Sequence, residues 1–292
     1  MKAWIAYLTV ALVWGSTYFG IALGITSFTP YGMVASRYLA GGAGALVLSR
    51  VTGESWPGRR DLPHLMLQGL LLLTLSNALV TWAEGYVSSG ATAILCSTTP
   101  LFYAVLGRER LGARGWGGMF LGLAGVGVLV LSRPGAHSLD LWGASALLLA
   151  TFFWAYGTLH GRRYVRGGGL MGQVGIQMLT GGFLGLLLAP LTGGVLHAPL
   201  TWKAGLAVGY LAVFGSLLGY SAFVYISRAW PPSRMSTYVY INPVVAVLLG
   251  CVALREPFNL GMAAGMAVIL AGVWLLQAQR PASRPQACAC VE

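Results

Sequence analysis

The sequence predicts an all-α integral membrane protein: ten transmembrane helices folded as two inverted five-helix repeats. Three observations carry that expectation. Charge is scarce, ten apolar runs have membrane-spanning length, and a pattern of Pro, Glu and Gly occurs twice. Of 292 residues only 9% are charged and 57% are hydrophobic, with 42 Gly besides, and mean hydropathy is +0.72. A soluble globular chain carries about 25% charged residues because its surface faces water. This surface must face lipid, which excludes a soluble enzyme, a disordered chain, a collagen and a disulfide scaffold.

A helix rises ~1.5 Å per residue, so ~20 apolar residues cross the hydrocarbon of a bilayer. Such runs fall near 4–24, 31–49, 63–83, 89–107, 115–132, 139–160, 171–190, 203–226, 234–254 and 259–278. The first is too long for a signal peptide, holds Trp14 and Tyr18, and lacks a small-residue cleavage site, so it reads as helix 1. Helix 2 carries Arg37, the one formal charge well inside a span. Helices 4 and 9 carry Pro100 and Pro243 near their middles, while helices 5 and 10 are rich in Gly and are expected at the periphery. Pairs such as Gly118 and Gly122 or Gly261 and Gly265 have the spacing that lets helices approach closely. The polar segment 280–292 reads as a disordered cytoplasmic tail.

Direction follows from loop charge. Fourteen Lys and Arg fall in loops on the N-terminal side and three on the other, which places both termini in the cytoplasm. The net charge of +11 therefore reflects membrane orientation, and no nucleic-acid partner is expected. The four Cys form no framework, with Cys96 and Cys251 in apolar runs and Cys288 and Cys290 in the tail.

The halves, 1–135 and 136–279, repeat a pattern. Thr99-Pro100 is echoed by Asn242-Pro243, Glu109 by Glu256, and Val13-Trp14-Gly15 by Phe153-Trp154-Ala155. Gly118 and Gly125-Val126 follow Glu109 at the offsets at which Gly265 and Gly272-Val273 follow Glu256. The interval from Pro to Glu is shorter in the first half, nine residues against thirteen. Five crossings is an odd number, so two copies must lie in opposite orientations, the usual architecture of secondary transporters.

These features together, Trp14-Gly15-Ser16, Arg37 and the doubled Pro–Glu–Gly–Gly-Val run, resemble the EamA type of the drug/metabolite transporter superfamily over residues 4–278. The resemblance implies a ten-helix exporter of small metabolites in a bacterial inner membrane, nearest in kind to exporters of aromatic and other neutral amino acids. The short Pro100-to-Glu109 interval departs from the family pattern.

A mid-helix Pro lacks an N–H and crowds the carbonyl four residues earlier, so Pro100 and Pro243 read as hinges that partly free the carbonyls of Cys96 and Val239. Thr98, Thr99 and Asn242 lie beside these breaks and are candidate substrate ligands, or alternatively hydroxyls and amides bonded to their own backbone. Trp14, Tyr18, Trp82, Trp154, Tyr220 and Tyr238 are candidate walls, since aromatic faces suit apolar side chains and attract ammonium groups. Trp82 also fits an interfacial belt. Arg37 must be paired or face water, and a structural ion pair with Glu84 is the favoured reading over a gate or a carboxylate-binding group.

No cofactor or metal is expected, and no catalytic cluster is visible, so the chain does not read as an enzyme. The deep interior holds no Asp, Glu or His, the residues used by proton relays, so transport down a gradient is expected. The expected partners are a small-molecule substrate and lipid, with the chain a monomer or loose homodimer. The alternatives are an exporter of drugs or other metabolites on the same fold, a multispan enzyme, or a channel.

Overall fold

A computed structural model describes residues 1–83, 86–87, 92, 95–132, 140–254 and 259–278, without the side chains of Tyr18 and 250–254. Glu84, Glu256, the junction at 135–136 and the tail beyond 278 lie outside the described residues.

Lys2–Gly24 forms α1 and Pro30–Val51 forms α2. Leu62–Ala83 forms α3, Thr99–Leu106 forms α4 and Ala113–Leu131 forms α5. Leu141–Tyr164 is α6, Leu170–Leu188 is α7 and Trp202–Ala229 is α8. Tyr238–Leu254 and Leu260–Gln277 are α9 and α10, with a one-turn helix at Pro232–Met235 before α9. Helix starts follow capping chemistry. The Thr29 hydroxyl accepts from Gly32 N at 3.0 Å with Pro30 behind it, Asp140 accepts from Trp142 and Gly143, Thr201 from Ala204, and Asn259 from Met262. The only pairing of extended chain among the described residues is an isolated bridge between Phe28 and Leu196.

Among the described residues seven helices are long and apolar enough to cross a membrane: α1, α3, α5, α6, α7 with its extension to Thr192, α8 and α10. The protein is therefore an all-helical membrane protein. Of the other three, α2 carries Arg37 and Arg50 in its 22 residues, and α9 has 17. The fourth expected span is interrupted. Residues 95–96 are helical, Ser97 and Thr98 turn, and α4 begins afresh at Thr99, so Pro100 lies in a first turn and not in mid-helix. At that position the missing N–H has no ladder partner to lose. Pro243, by contrast, is inside a continuous α9.

The most extensive contacts are α2 on α7 and α5 on α10. Both depend on glycine. A Cβ on Gly125 would stand 2.6 Å from the Ile269 amide nitrogen, and one on Gly265 2.5 Å from that of Leu129. On the other pair, Gly42 would meet Leu179 N at 2.9 Å and Gly182 would meet Leu39 N at 2.8 Å. Backbones this close bring helices into dispersion contact along their length, the main attraction left when the solvent is as apolar as the side chains. Met119, Val126, Leu129, Ile269 and Leu276 of this pair share one core with Tyr240, Val244 and Val247 of α9 and Ala104 of α4.

Two helices are wound more widely than α. Gly69–Ser76 within α3 and Leu211–Tyr220 within α8 are π-helical. Such segments loosen the backbone ladder and recur at functional sites. The ends of the described chain meet: the Arg234 guanidinium lies over the Trp4 ring at 5.3 Å and its Nε donates to Gln277 Oε1 at 2.6 Å. Lys2 and Gln277 thus share one side of the molecule, here the terminal side.

Candidate functional site

Between α1, α2, α3, α6, α8 and α9, with the α4 break, lies a cavity of about 150 Å³. An aromatic cluster forms its floor. Trp14 and Trp154, from matched positions in the two halves, meet edge-to-face at 5.4 Å, and Tyr238 stands edge-on to Trp14 at 5.3 Å. Phe223 packs against both indoles, and Tyr220 closes the far edge of Trp154 at 6.3 Å. Offset and edge contacts of this kind are the favourable ring geometries. Gly219 permits the packing, since a Cβ there would lie 2.6 Å from Trp14 Nε1.

Polar groups stand above the floor. Asn242 is buried and, with its NH2 turned toward them, donates to the Tyr238 carbonyl at 3.0 Å and to the Ala11 carbonyl at 3.1 Å. Thr99 lines the cavity but its hydroxyl donates to Cys96 O at 2.5 Å, the carbonyl that the α4 break frees. Ser76, Asn77 and Gly215 come from the two π-helical stretches or their ends. The Trp14 indole N–H donates to Gly215 O at 2.9 Å. The matched Trp154 N–H is buried beside Tyr103 and, among the described residues, has no well-aligned acceptor.

Arg37 is 8% exposed and lines the cavity. Its Nε donates to Ser216 Oγ at 3.1 Å and its guanidinium covers the Tyr38 ring at 4.6 Å. The expected partner Glu84 lies outside the described residues. Among the described residues Arg37 has no carboxylate partner, so the described contacts tie helix 2 to α8 in the other half.

Register gives the cavity a direction. Thr17 and Ile21 follow Trp14 away from the terminal side, and Gly215 precedes Tyr220 on a helix running the other way, so the cavity lies on the far side of the aromatic floor. On the terminal side hydrogen bonds hold the helix ends together. Tyr7 OH and Thr237 Oγ1 are 2.7 Å apart, Tyr103 OH donates to Thr158 Oγ1 at 3.0 Å, and Arg162 donates to Trp230 O at 2.7 Å. The Glu109 carboxylate accepts from Ser233 N at 3.2 Å.

Of the residues singled out from sequence, the fold brings Trp14, Thr99, Trp154, Tyr220, Tyr238, Asn242 and Arg37 to this one cavity. Two stand apart. Trp82 is 38% exposed and packs on Tyr86 at 4.6 Å, the geometry of a belt residue. Thr98 turns to its own backbone and donates to Leu95 O at 2.6 Å. The Tyr18 side chain lies outside the described set. Sequence reasoning passed over Thr17, Ser76, Asn77 and Thr151, although Ser76-Asn77 is an adjacent polar pair inside an apolar run, a signal that was available. No residue of α5 or α10 lines the cavity. Among the described residues no group of His, Cys, Asp or Glu gathers in a metal-binding set.

A membrane-embedded helical bundle with a polar and aromatic hollow between its two halves defines the class of multispan solute carriers. The model of the EamA-like transporter family matches the chain twice, over residues 1–131 and 141–277, and the chain belongs to that family. It is 37% identical over 249 residues to the uncharacterised inner membrane transporter YedA of Escherichia coli K-12, covering 84% of this chain and 80% of that one. A probable terminal-alkyne amino-acid exporter of Streptantibioticus cattleyicolor is 26% identical over 292 residues, covering 97% and 96%. One solved crystal structure shares the fold with a TM-score of 0.77 over 94% of this chain and 95% of that one, at 20% identity. The protein is thus a multi-pass membrane transporter.

Proposed function

We propose that the chain exports small amphipathic metabolites, foremost neutral and aromatic amino acids, by alternating access through the central cavity. The observation that carries this reading is the juxtaposition in one cavity of the Arg37 guanidinium with an aromatic floor. A guanidinium with no carboxylate beside it among the described residues suits a substrate carboxylate, and charge-assisted bonds of that kind are about twice as strong as neutral ones. The aromatic floor suits an apolar side chain. A cavity of roughly this volume elsewhere holds one benzene, so the present state is matched to a side chain of about phenyl size. The relative named as a probable amino-acid exporter is in keeping. Cationic drugs fit less well, because Arg37 repels them.

The mechanism rests on two inverted five-helix repeats of a ten-helix fold, joined near 135–136. The double family match supports it, and so do reciprocal contacts. Thr29 N donates to Val195 O and Gly169 N donates to Ser55 O, and a shift of 140 positions turns one pair into the other. The same shift relates the contact of Gly42 with Leu179 to that of Gly182 with Leu39. A shift of 147 relates Gly125 on Ile269 to Gly272 on Gly122. Reciprocity of this kind is the mark of a two-fold axis. With both termini in the cytoplasm, an inward-facing state must break the Tyr7–Thr237 and Tyr103–Thr158 bonds, and an outward-facing one the bonds of Ser27 and Thr29 to the α7–α8 loop. In this reading Pro243, inside α9, and Pro100, at the restart of α4, serve as the hinges.

The described cavity wall holds no Asp, Glu or His, so transport is driven by the substrate gradient without proton exchange. Counterflow of labelled phenylalanine, leucine and a lipophilic cation in proteoliposomes tests the reading. Amino-acid counterflow that Arg37→Gln abolishes is expected; cation counterflow alone would overturn the substrate class. Stimulation by a pH gradient would overturn the uncoupled mechanism.

A further inference from the structure

A second cleft opens at the terminal-side ends of α3 and α6, away from the central cavity. Its walls are the α2–α3 loop at Arg59, Arg60 and Asp61, His64 at the start of α3, and Tyr164 and Arg166 at the end of α6 and beyond. Three arginines thus face one carboxylate, and that carboxylate is engaged. Asp61 accepts from Arg166 N at 3.0 Å with one oxygen and from Gly167 N at 3.2 Å with the other. The other acid of the loop, Glu54, is engaged by the Met171 and Gly172 amides at the start of α7. Among the described residues no carboxylate pairs with the Arg59, Arg60 or Arg166 side chains.

The aromatic wall is rigid. His64 stacks on Tyr164 at 5.1 Å and its Nδ1 lies 3.0 Å from His160 Nε2, so the ring is held from two sides. The backbone around the acids is equally fixed, because Gly169 N donates to Ser55 O at 2.7 Å. A preformed cleft with excess positive charge favours an anion, and guanidinium groups match the oxygens of phosphate in pairs. The cleft lies at the ends of the apolar spans Leu62–Ala83 and Leu141–Tyr164, and basic pockets between helices on the cytoplasmic side bind acidic lipid heads.

We propose that this cleft binds a phosphate-bearing anion through Arg59, Arg60 and Arg166. The α2–α3 loop belongs to the first half of the chain and Arg166 to the second, so the bound anion bridges the two halves on the terminal side.

The test uses the full-length protein in nanodiscs of phosphatidylcholine, of phosphatidylcholine with phosphatidylglycerol, and of phosphatidylcholine with added inorganic phosphate. Native mass spectrometry counts the anions retained and a thermal melt reports the shift on binding. Wild type is expected to retain phosphatidylglycerol, and the triple change Arg59→Gln, Arg60→Gln, Arg166→Gln to weaken retention roughly 100-fold at about fivefold per arginine. Arg163→Gln removes a charge that lies over Tyr164 outside the cleft walls and should leave retention unchanged. Retention of inorganic phosphate without lipid would assign the site to a soluble phosphate. Retention of neither anion, or equal retention by wild type and the triple variant, overturns the proposal. Should the triple variant fail to fold, Arg166→Gln alone serves, with a loss of about fivefold expected and no loss overturning it.

Discussion

The α5–α10 pair and the central cavity are both helix contacts inside one bundle, yet they are built from opposite materials. The pair is made by backbone approaching backbone through Gly118, Gly125, Gly265 and Gly272, and each contact has its reciprocal. The cavity is made by large and polar side chains, and there the correspondence fails. Trp14 bonds Gly215 O, while among the described residues the matched Trp154 finds no well-aligned acceptor. Arg37 bonds Ser216 while the residue 140 positions on, Gln177, bonds Gln68 and Tyr220. On the inverted-repeat reading proposed above, the frame keeps the correspondence between the halves and the site departs from it. An asymmetric pocket can hold a ligand with two unlike ends.

The difference is open to test. Arg37→Gln should have the largest effect, weakening amino-acid binding by roughly 10- to 100-fold in a scintillation proximity assay, beyond a loss of about 1–2 kcal/mol of stability with its bond to Ser216. Unaltered binding alongside that loss would make Arg37 a structural residue after all. Gly125→Ala should do the reverse, costing about 1–3 kcal/mol of stability by overpacking, read from unfolding in mixed micelles. Gly127, which faces open space, is the control, since Gly127→Ala should be neutral or mildly stabilising. Equal losses at both glycines would mean that backbone approach is not what joins this pair.

Tyr103→Phe should loosen the terminal side by about 1 kcal/mol, roughly a fivefold shift between states. Faster maleimide labelling of a cysteine at the buried Val10 would report it; unchanged labelling would remove the Tyr103–Thr158 bond from those that hold that side together. The smallest effect sharpens the comparison most. Trp14→Phe should lose about 1 kcal/mol of stability with its bond to Gly215, and Trp154→Phe distinctly less. Equal losses would restore the symmetry that the two indoles break.

Much of the frame is legible from residues alone, for physical reasons. Apolar length must match bilayer thickness, so the expected spans 4–24, 203–226 and 259–278 lie close to the observed Lys2–Gly24, Trp202–Ala229 and Leu260–Gln277. Helix 4 is the exception, since the local rule that a Pro kinks a helix does not say whether the helix continues beyond it. Its neighbours decide, and at Thr99 it restarts. The π-helical stretches of α3 and α8 leave no trace in hydropathy, because one extra residue per turn leaves an apolar run apolar. The cavity is half legible. Tryptophans at matched positions and an Arg inside a span announce themselves, but Ser216, the partner of Arg37, lies 179 residues away, and no local signal joins the two. Trp82 misleads because the same indole serves a pocket or a headgroup region, and only the neighbouring Tyr86 tells which.

The choice of partners also bears on how the chain is made. Because α2 rests on α7 and α5 on α10, neither set of five helices can cover its own glycine faces. A ribosome that has released the first five has delivered a loose raft of rods, and consolidation must wait for the rest of the polypeptide. The two pieces, expressed separately, should find each other in the bilayer as a heterodimer, and each alone should be prey for quality-control proteases.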